Sequence, residues 1–424
     1  MRRAGDGRLY YGWVVVGVTV LTLLVTSGVR SAPGVLINPL EEDFGWSRGA
    51  ISFAVSIGLL LYGLSAPLAG AVMDRVGPRR LMLFGLALTA VSTALGAAVR
   101  QLWQLDVVWG LLSGLGTGAA ATVVGATVAT RWFVARRGLV LGIFGAAVSA
   151  GQLVFVPLLM WLVHAIGWRA TSVVLALCAA AVLPLVLWLM RDEPAAVGLE
   201  PYGGPPPADP HAGHRLGTWQ ALNRARRTPV FWLLFGSFFV CGATSTGLIG
   251  THFISHSIDH GIPEATAAGT LALMGGMNFV GTIASGWLTD RYDPRRLLAI
   301  YYGLRGLSLF VLPFVTQFSG LAIFAVIFGL DYIATVPPTA TLVADVFGRR
   351  HVAAVYGWVF FGHQLGAASA AYFGGLSRDV LGDYNAAFVA AGLLALMASL
   401  MALRIDRRPS AATQPQPQPQ PNPA

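Results

Sequence analysis

The sequence predicts an all-α membrane protein of twelve transmembrane helices, folded as two pseudo-symmetric six-helix bundles. Three observations carry that expectation. First, the 424-residue chain is 55% hydrophobic and only 11% charged, whereas an ordinary soluble domain carries about 25% charged residues. Second, the apolar residues come in unbroken runs long enough to cross a bilayer, which takes about 20 residues. Lipid offers no partner for backbone polar groups, so such runs must be helical; strands of a barrel would alternate instead. Third, Asp74-Arg75-Val76-Gly77-Pro78-Arg79-Arg80 returns as Asp290-Arg291-Tyr292-Asp293-Pro294-Arg295-Arg296. Gly70-Ala71-Val72-Met73 leads into the first copy and Gly286-Trp287-Leu288-Thr289 into the second, and another apolar run follows each. The chain is therefore a duplication, the pattern of transporters built from repeated bundles.

The first half supplies runs at about 11–38, 47–73, 81–100, 103–130, 138–165 and 168–190; the second at about 229–257, 264–289, 297–317, 319–346, 353–377 and 384–404. The basic start, Met1-Arg2-Arg3 to Arg8, resembles a signal peptide. The run behind it is too long for one, and it reads as an uncleaved first helix. Pro33, Pro67, Pro157, Pro337 and Pro338 fall inside spans, where neighbouring helices can satisfy the freed backbone. The expected organisation is a bundle over 1–190, a cytoplasmic linker over 191–228, a second bundle over 229–404 and a disordered tail over 405–424. The linker is rich in Pro and Gly from Pro201 to His214, and the tail ends in a Gln-Pro repeat.

The net charge of +9 does not point to nucleic acid, because the basic residues sit in short loops between apolar runs. All 28 are Arg, so no Lys is present to bind solute or carry protons, and Arg does not deprotonate in proteins. Arg30 and Arg305 lie within spans. Arg48, Arg100, Arg169 and Arg378 fall on one side, and the remaining 22 fall on the other. That asymmetry places both termini in the cytoplasm of a cell whose inner membrane holds the chain. Cys178 and Cys241 lie in apolar runs, without metal or disulfide spacing. No phosphate-binding Gly-Lys loop, metal cluster or cofactor motif is present, and no nucleophile is paired with a base. An enzyme is not expected; energy should come from a gradient.

The two Asp-Arg loops, the span count and the duplication together resemble the major facilitator superfamily over roughly 11–404. The resemblance implies two bundles around a central cavity and alternating access by their rocking. It also implies that Asp74, Arg75, Arg79, Asp290, Arg291 and Arg295 form a gating charge cluster that latches the bundles on the cytoplasmic side. The alternative is that these Arg residues only set topology. Asp293, standing where the first copy has Gly77, departs from the pattern. Tyr10-Tyr11-Gly12-Trp13 and Phe44-Gly45-Trp46-Ser47-Arg48 resemble the monocarboxylate and oxalate–formate porters. Those porters place an Arg in the eighth helix, yet Asn278-Phe279-Val280-Gly281-Thr282 has none.

Ionisable residues within the membrane are costly and are functional candidates by default. Arg30, on a helix that the resemblance makes cavity-lining, is the candidate anchor for a carboxylate; its alternative is snorkelling or an ion pair. Asp331 and Arg305 share a depth and form either a structural pair or a proton-coupling site. His363 and Gln364 are candidate solute or proton contacts, or interhelical hydrogen bonds. Asn278 and Gln152 read as helix–helix glue with a possible solute contact at Asn278. His252 and His256 should face water near the outer end of span seven, and Trp103 and Trp109 should anchor an interface. The glycines Gly110, Gly114 and Gly118 should allow close helix packing.

The expected function is secondary transport of a small organic anion resembling a monocarboxylate, coupled to protons, by a chain working as a monomer. An exporter of drugs or cations, with Asp331 as counter-charge, and a non-transporting membrane sensor are the alternatives.

Overall fold

The computed structural model describes residues 10–120, 122–204, 218–289, 291–315, 317–347 and 352–406. Twelve spans account for nearly all of them. Helix α1 is Gly12–Phe44, α2 Arg48–Val76 and α3 Pro78–Gly96. Helix α4 runs through Leu102–Leu105, Asp106–Ser113, Gly114–Ala120 and Thr122–Trp132, with Asp106–Ser113 wound as π-helix. Arg137–Leu189 is two helices, α5 and α6, split at Gly167, whose φ of 78° and ψ of 163° no helix adopts. Helix α7 comprises Pro229–Gly242, the π-helical Ala243–Ile249 and Gly250–Asp259. Then follow α8 Glu264–Thr289, α9 Pro294–Val311, α10 Phe318–Asp331 with Val336–Phe347, α11 Val352–Leu381 and α12 Asn385–Leu403. Nine stretches of the described residues are long and apolar enough to cross a membrane, α5 and α6 sharing one of them. Helices α3 and α11 complete the twelve.

Local chemistry sets the boundaries. Ser47 caps α2 by accepting from the Ala50 amide at 3.2 Å. Proline opens α3, α7 and α9, where its missing N–H costs nothing. At the end of α1, Gly45 takes the left-handed conformation and donates its amide to Glu41. The Tyr10–Trp13 and Phe44–Arg48 stretches are built into corners. Tyr10 and Trp13 pack on Phe133 and Tyr202, joining the start of α1 to the end of α4. Burial pushes the Tyr10 phenol up to about 12, and it donates to the Glu200 carbonyl at 2.9 Å. At the other end of α1, Phe44 stacks on Trp46 at 4.3 Å.

The expected glycine packing is present. A Cβ on Gly114 would stand 2.7 Å from the Gly58 carbonyl oxygen, so α2 and α4 touch backbone to backbone. Large apolar side chains such as Trp161, Trp188 and Phe314 cover the outside, as a lipid-facing surface requires. The two bundles meet through α2 on α11, α5 on α8 and α1 on α7. We call the side holding the α1–α2 and α7–α8 turns the α1–α2 face, and the opposite side the linker face.

Candidate functional site: an interbundle cavity with one cation

A cavity of about 110 Å³ lies between the bundles. Its wall carries Ser27, Arg30, Ser31, Ser149 and Gln152 from the first half, and Thr246, Asn278, Tyr332 and Ile333 from the second. Arg30 is the only basic residue among these. Counting from Gly12 at ~1.5 Å per residue, it stands about 27 Å along α1, just past the middle of that 33-residue helix. Its guanidinium lies 4.0 Å over the Tyr62 ring, and no acidic side chain is bonded to it among the described residues. Stacking uses the flat face of the guanidinium and leaves its N–H edges for a ligand.

The second half of the wall is shaped by a break in α10. Pro337 and Pro338 lack the amides that would bond the Ile333 and Ala334 carbonyls. The chain unwinds over Tyr332–Thr335, and side chains from neighbouring helices satisfy what is freed. Arg305 of α9 donates to the Tyr332 carbonyl at 3.2 Å and to the Asp331 carbonyl at 2.5 Å. Ser285 of α8 donates to the Ala334 carbonyl at 2.6 Å. Asn278 of α8 accepts from the Ile333 amide at 3.2 Å and donates to Ser149 of α5 at the same distance. Asn278 thus binds both bundles and the break, and the break turns Tyr332 and Ile333 into the cavity.

Of the five candidate solute contacts, Arg30 and Asn278 are on this wall. Asp331 instead points into the second bundle, where its Oδ2 meets Arg305 Nε at 2.7 Å with both side chains buried. Arg305 also donates to Cys241 Sγ at 3.1 Å and to Thr244 Oγ1 at 3.2 Å. His363 stacks on Phe360 and packs at a tilt against Phe238, beside Cys241. Gln364 presses against Gly63 where α2 crosses α11. The pair, Cys241 and His363 form one polar chain through the second bundle, set back from the cavity.

Toward the α1–α2 face the bundles are tied together. Arg48, at the start of α2, donates to Asp259 at the end of α7 through two bonds of 2.7 and 3.1 Å. It also binds Glu41 at 2.7 Å and the Tyr384 hydroxyl at 3.1 Å. Burial pushes the Tyr384 phenol up to about 12 against the pull of Arg48, so a neutral hydroxyl accepts that bond. The Gly49 amide donates to Asp379 at 2.8 Å, Arg378 joins Asp259 at 2.9 Å, and Ser255 donates to Asn38 at 2.7 Å. The sequence does not reveal this latch: it offers Arg48 as one of four charges on the less basic side and as the end of the Phe44–Arg48 stretch, without its partners. The acids Glu41, Asp259, Asp379 and Asp383 near this face, against few Arg, are the signal that could have found it.

At the linker face, Asp74 and Arg75 lie in the last turn of α2, and Asp290 is outside the described residues. Arg79 donates its amide to Asp192 at 2.7 Å and its guanidinium to the Leu187 carbonyl. Arg295 binds Asp293 at 2.7 Å and the Ile405 carbonyl at 3.2 Å, and Arg291 lies 4.0 Å over Trp287. These contacts stay within each bundle. Asp293 departs from the first copy for a local reason: it caps α9, accepting from the Arg295 amide.

Two expectations are corrected. His252 and His256 do not face water; they are 0% and 1% exposed, wedged against α11 and against Tyr384 and Phe388. Trp109 is no belt anchor: the π-helical turn of α4 directs it into the first bundle beside Arg30. Trp103, 60% exposed, fits an interface position.

Twelve spans, a duplicated Asp-Arg loop and a cavity between two bundles define a membrane transporter rather than an enzyme. The sequence profile of the Major Facilitator Superfamily matches residues 19–330 and 278–423, and the chain belongs to that family. It is 28% identical over 405 residues to monocarboxylate transporter 13 of Rattus norvegicus, covering 92% of this chain and 87% of that protein. It is 25% identical over 414 residues to the oxalate:formate antiporter of Oxalobacter formigenes, covering 93% and 92%. In fold it is similar to a bacterial homologue of the human lysosomal transporter Spinster in an inward-facing, unoccupied conformation, with a TM-score of 0.77, 16% identity and coverage of 94% and 97%. A D-xylose–proton symporter follows with a TM-score of 0.72, 15% identity and coverage of 93% and 98%.

Proposed function

We propose that this chain is a secondary transporter that carries a small monocarboxylate with a proton by alternating access. The carrying observation is Arg30, a cation midway along α1 in a cavity shared by both bundles, with no acid bonded to it among the described residues. A carboxylate accepts two parallel bonds from such a fork. The resemblance to monocarboxylate transporters and to an oxalate:formate antiporter supports an anionic solute. Arg30 takes over the anchoring that the missing eighth-helix Arg would have given, and Asn278, Gln152 and Tyr332 supply polar contacts opposite it.

In this reading the α1–α2 face is extracellular and the linker face cytoplasmic, as the Arg distribution requires. The chain lies in the inner membrane with both termini inside, and 191–228 joins two bundles that rock against each other. The latch at Arg48 is closed here. On reorientation it parts, and Asp74, Arg75, Arg79, Asp290, Arg291 and Arg295 form the opposing latch. Asp331 and His363 are the proton-coupling groups, linked through Arg305 and Cys241. The test is uptake of labelled pyruvate into proteoliposomes by wild type and Arg30→Gln. Loss of saturable uptake in the variant, at normal membrane insertion, supports the anchor; full uptake removes it.

A further inference from the structure

Arg30 borders a second cavity as well as the first. This one lies inside the first bundle, and the two share Arg30, Pro33, Val55 and Leu59 as a common wall. The site is therefore bilobed, with its cation at the junction. The inner lobe is walled by Leu36, Leu159 and Leu175 and by the ring of Trp109, and Tyr62 closes it beneath the guanidinium. Hydroxyls line much of the rest, and four of them have their protons committed. Ser92 donates to the Val108 carbonyl, Thr117 to Ser113, Thr171 to Gly167 and Ser172 to Trp168, at 2.7–2.9 Å. These oxygens can accept a bond but not give one.

We propose that the inner lobe holds the tail of the transported acid, and that the preferred solutes are monocarboxylates with a branched or aromatic uncharged tail. The inference rests on the carboxylate reading of Arg30. With the carboxylate on the guanidinium edge, the tail extends between α1, α2, α4 and α6 into apolar walls, where each added methylene is rewarded. A dicarboxylate fits poorly. Its second charge would enter a lobe whose described lining holds no cation beyond Arg30, and a buried unpaired carboxylate is strongly disfavoured. An accepting hydroxyl can still receive a bond from a hydroxyl on the tail.

The experiment is proteoliposome uptake of pyruvate, 4-methyl-2-oxopentanoate and phenylpyruvate, with oxalate as competitor. In wild type the KM for either long-tailed acid should be about tenfold or more below that for pyruvate, the scale set by a few buried methylenes. Excess oxalate should not compete. Ser172→Leu, which fills the lobe, should raise the ratio of long-tail KM to pyruvate KM at least tenfold. Leu175→Ala, which enlarges it, should move the ratio the other way for phenylpyruvate, so the inference stays testable if the filled variant does not fold. Equal KM values across the acids, effective competition by oxalate, or a ratio unmoved in both variants would overturn the tail assignment and leave the anchor standing. Retention of all uptake by Arg30→Gln would overturn the anchor, whatever the ratios show.

Discussion

Arg48 and Asp259 are joined across the two bundles by two bonds of 2.7 and 3.1 Å, although 211 residues separate them in the chain. The bidentate geometry makes this the strongest single tie at the α1–α2 face. Removing one partner of a hydrogen-bonded charge pair that is largely out of water costs about 2–5 kcal/mol. Arg48→Gln should therefore shift the two-state balance toward the conformation open at this face, by tenfold or more. A cysteine placed at Ser255, which faces Asn38 across the closed interface, should then react faster with a membrane-impermeant maleimide added outside. No change in labelling rate would show that the latch does not hold the closed state.

Arg305 and Asp331 should behave as a structural unit. Arg305→Gln leaves a buried carboxylate without its cation and takes the guanidinium donor from the Tyr332 carbonyl of the α10 break. Breaking a buried pair in this way costs about 3–5 kcal/mol, so a large drop in thermal stability in detergent is expected. Arg305→Met combined with Asp331→Leu should recover part of that loss, because no charge remains to be stranded. Equal stability of Arg305→Gln and wild type would contradict the account of the break.

Asp331→Asn keeps the shape and an acceptor for Arg305 while removing the titrating carboxylate, at a cost in stability because the buried Arg305 charge loses its anion. Downhill pyruvate flux should persist, whereas stimulation by an inward proton gradient should disappear. His363→Gln is expected to weaken the stimulation without abolishing the flux. Undiminished gradient stimulation in both variants would remove this polar chain from the coupling.

The α10 break should be needed for transport and not for folding. Pro337→Ala with Pro338→Ala restores two backbone donors and favours continuous helix, withdrawing Tyr332 and Ile333 from the cavity wall. Uptake should fall at least tenfold while thermal stability holds or rises. Normal uptake by the double variant would mean that the break does not shape the site.

Much of the fold was legible in the sequence, because bilayer crossing leaves a long, coarse signal. The runs, the duplicated Asp-Arg loop and the kink beside Gly167 needed no tertiary knowledge. That Arg30 is an ionisable residue within a span was legible too, and the structure places it on the cavity wall. The partners were not legible. Nothing local says that Arg305 serves the Asp331 and Tyr332 carbonyls at the α10 break, or that Gln364 lies against Gly63 instead of solute. Helix rotation decides which way a side chain points, and runs that are apolar on nearly every side do not encode it. For the same reason His252 and His256 read as water-facing by depth alone, when their faces of α7 are covered by α11 and α12.

The most direct test of the central claim is proton-coupled carboxylate uptake in sealed proteoliposomes carrying a trapped pH dye. With wild type, addition of pyruvate outside should acidify the lumen and accumulate label, saturably and faster with an inward proton gradient. With Arg30→Gln, both signals should vanish. Pyruvate entry without luminal acidification would contradict proton coupling, and no entry of pyruvate or its longer-tailed analogues through sealed, loaded vesicles would contradict the assignment as a monocarboxylate carrier.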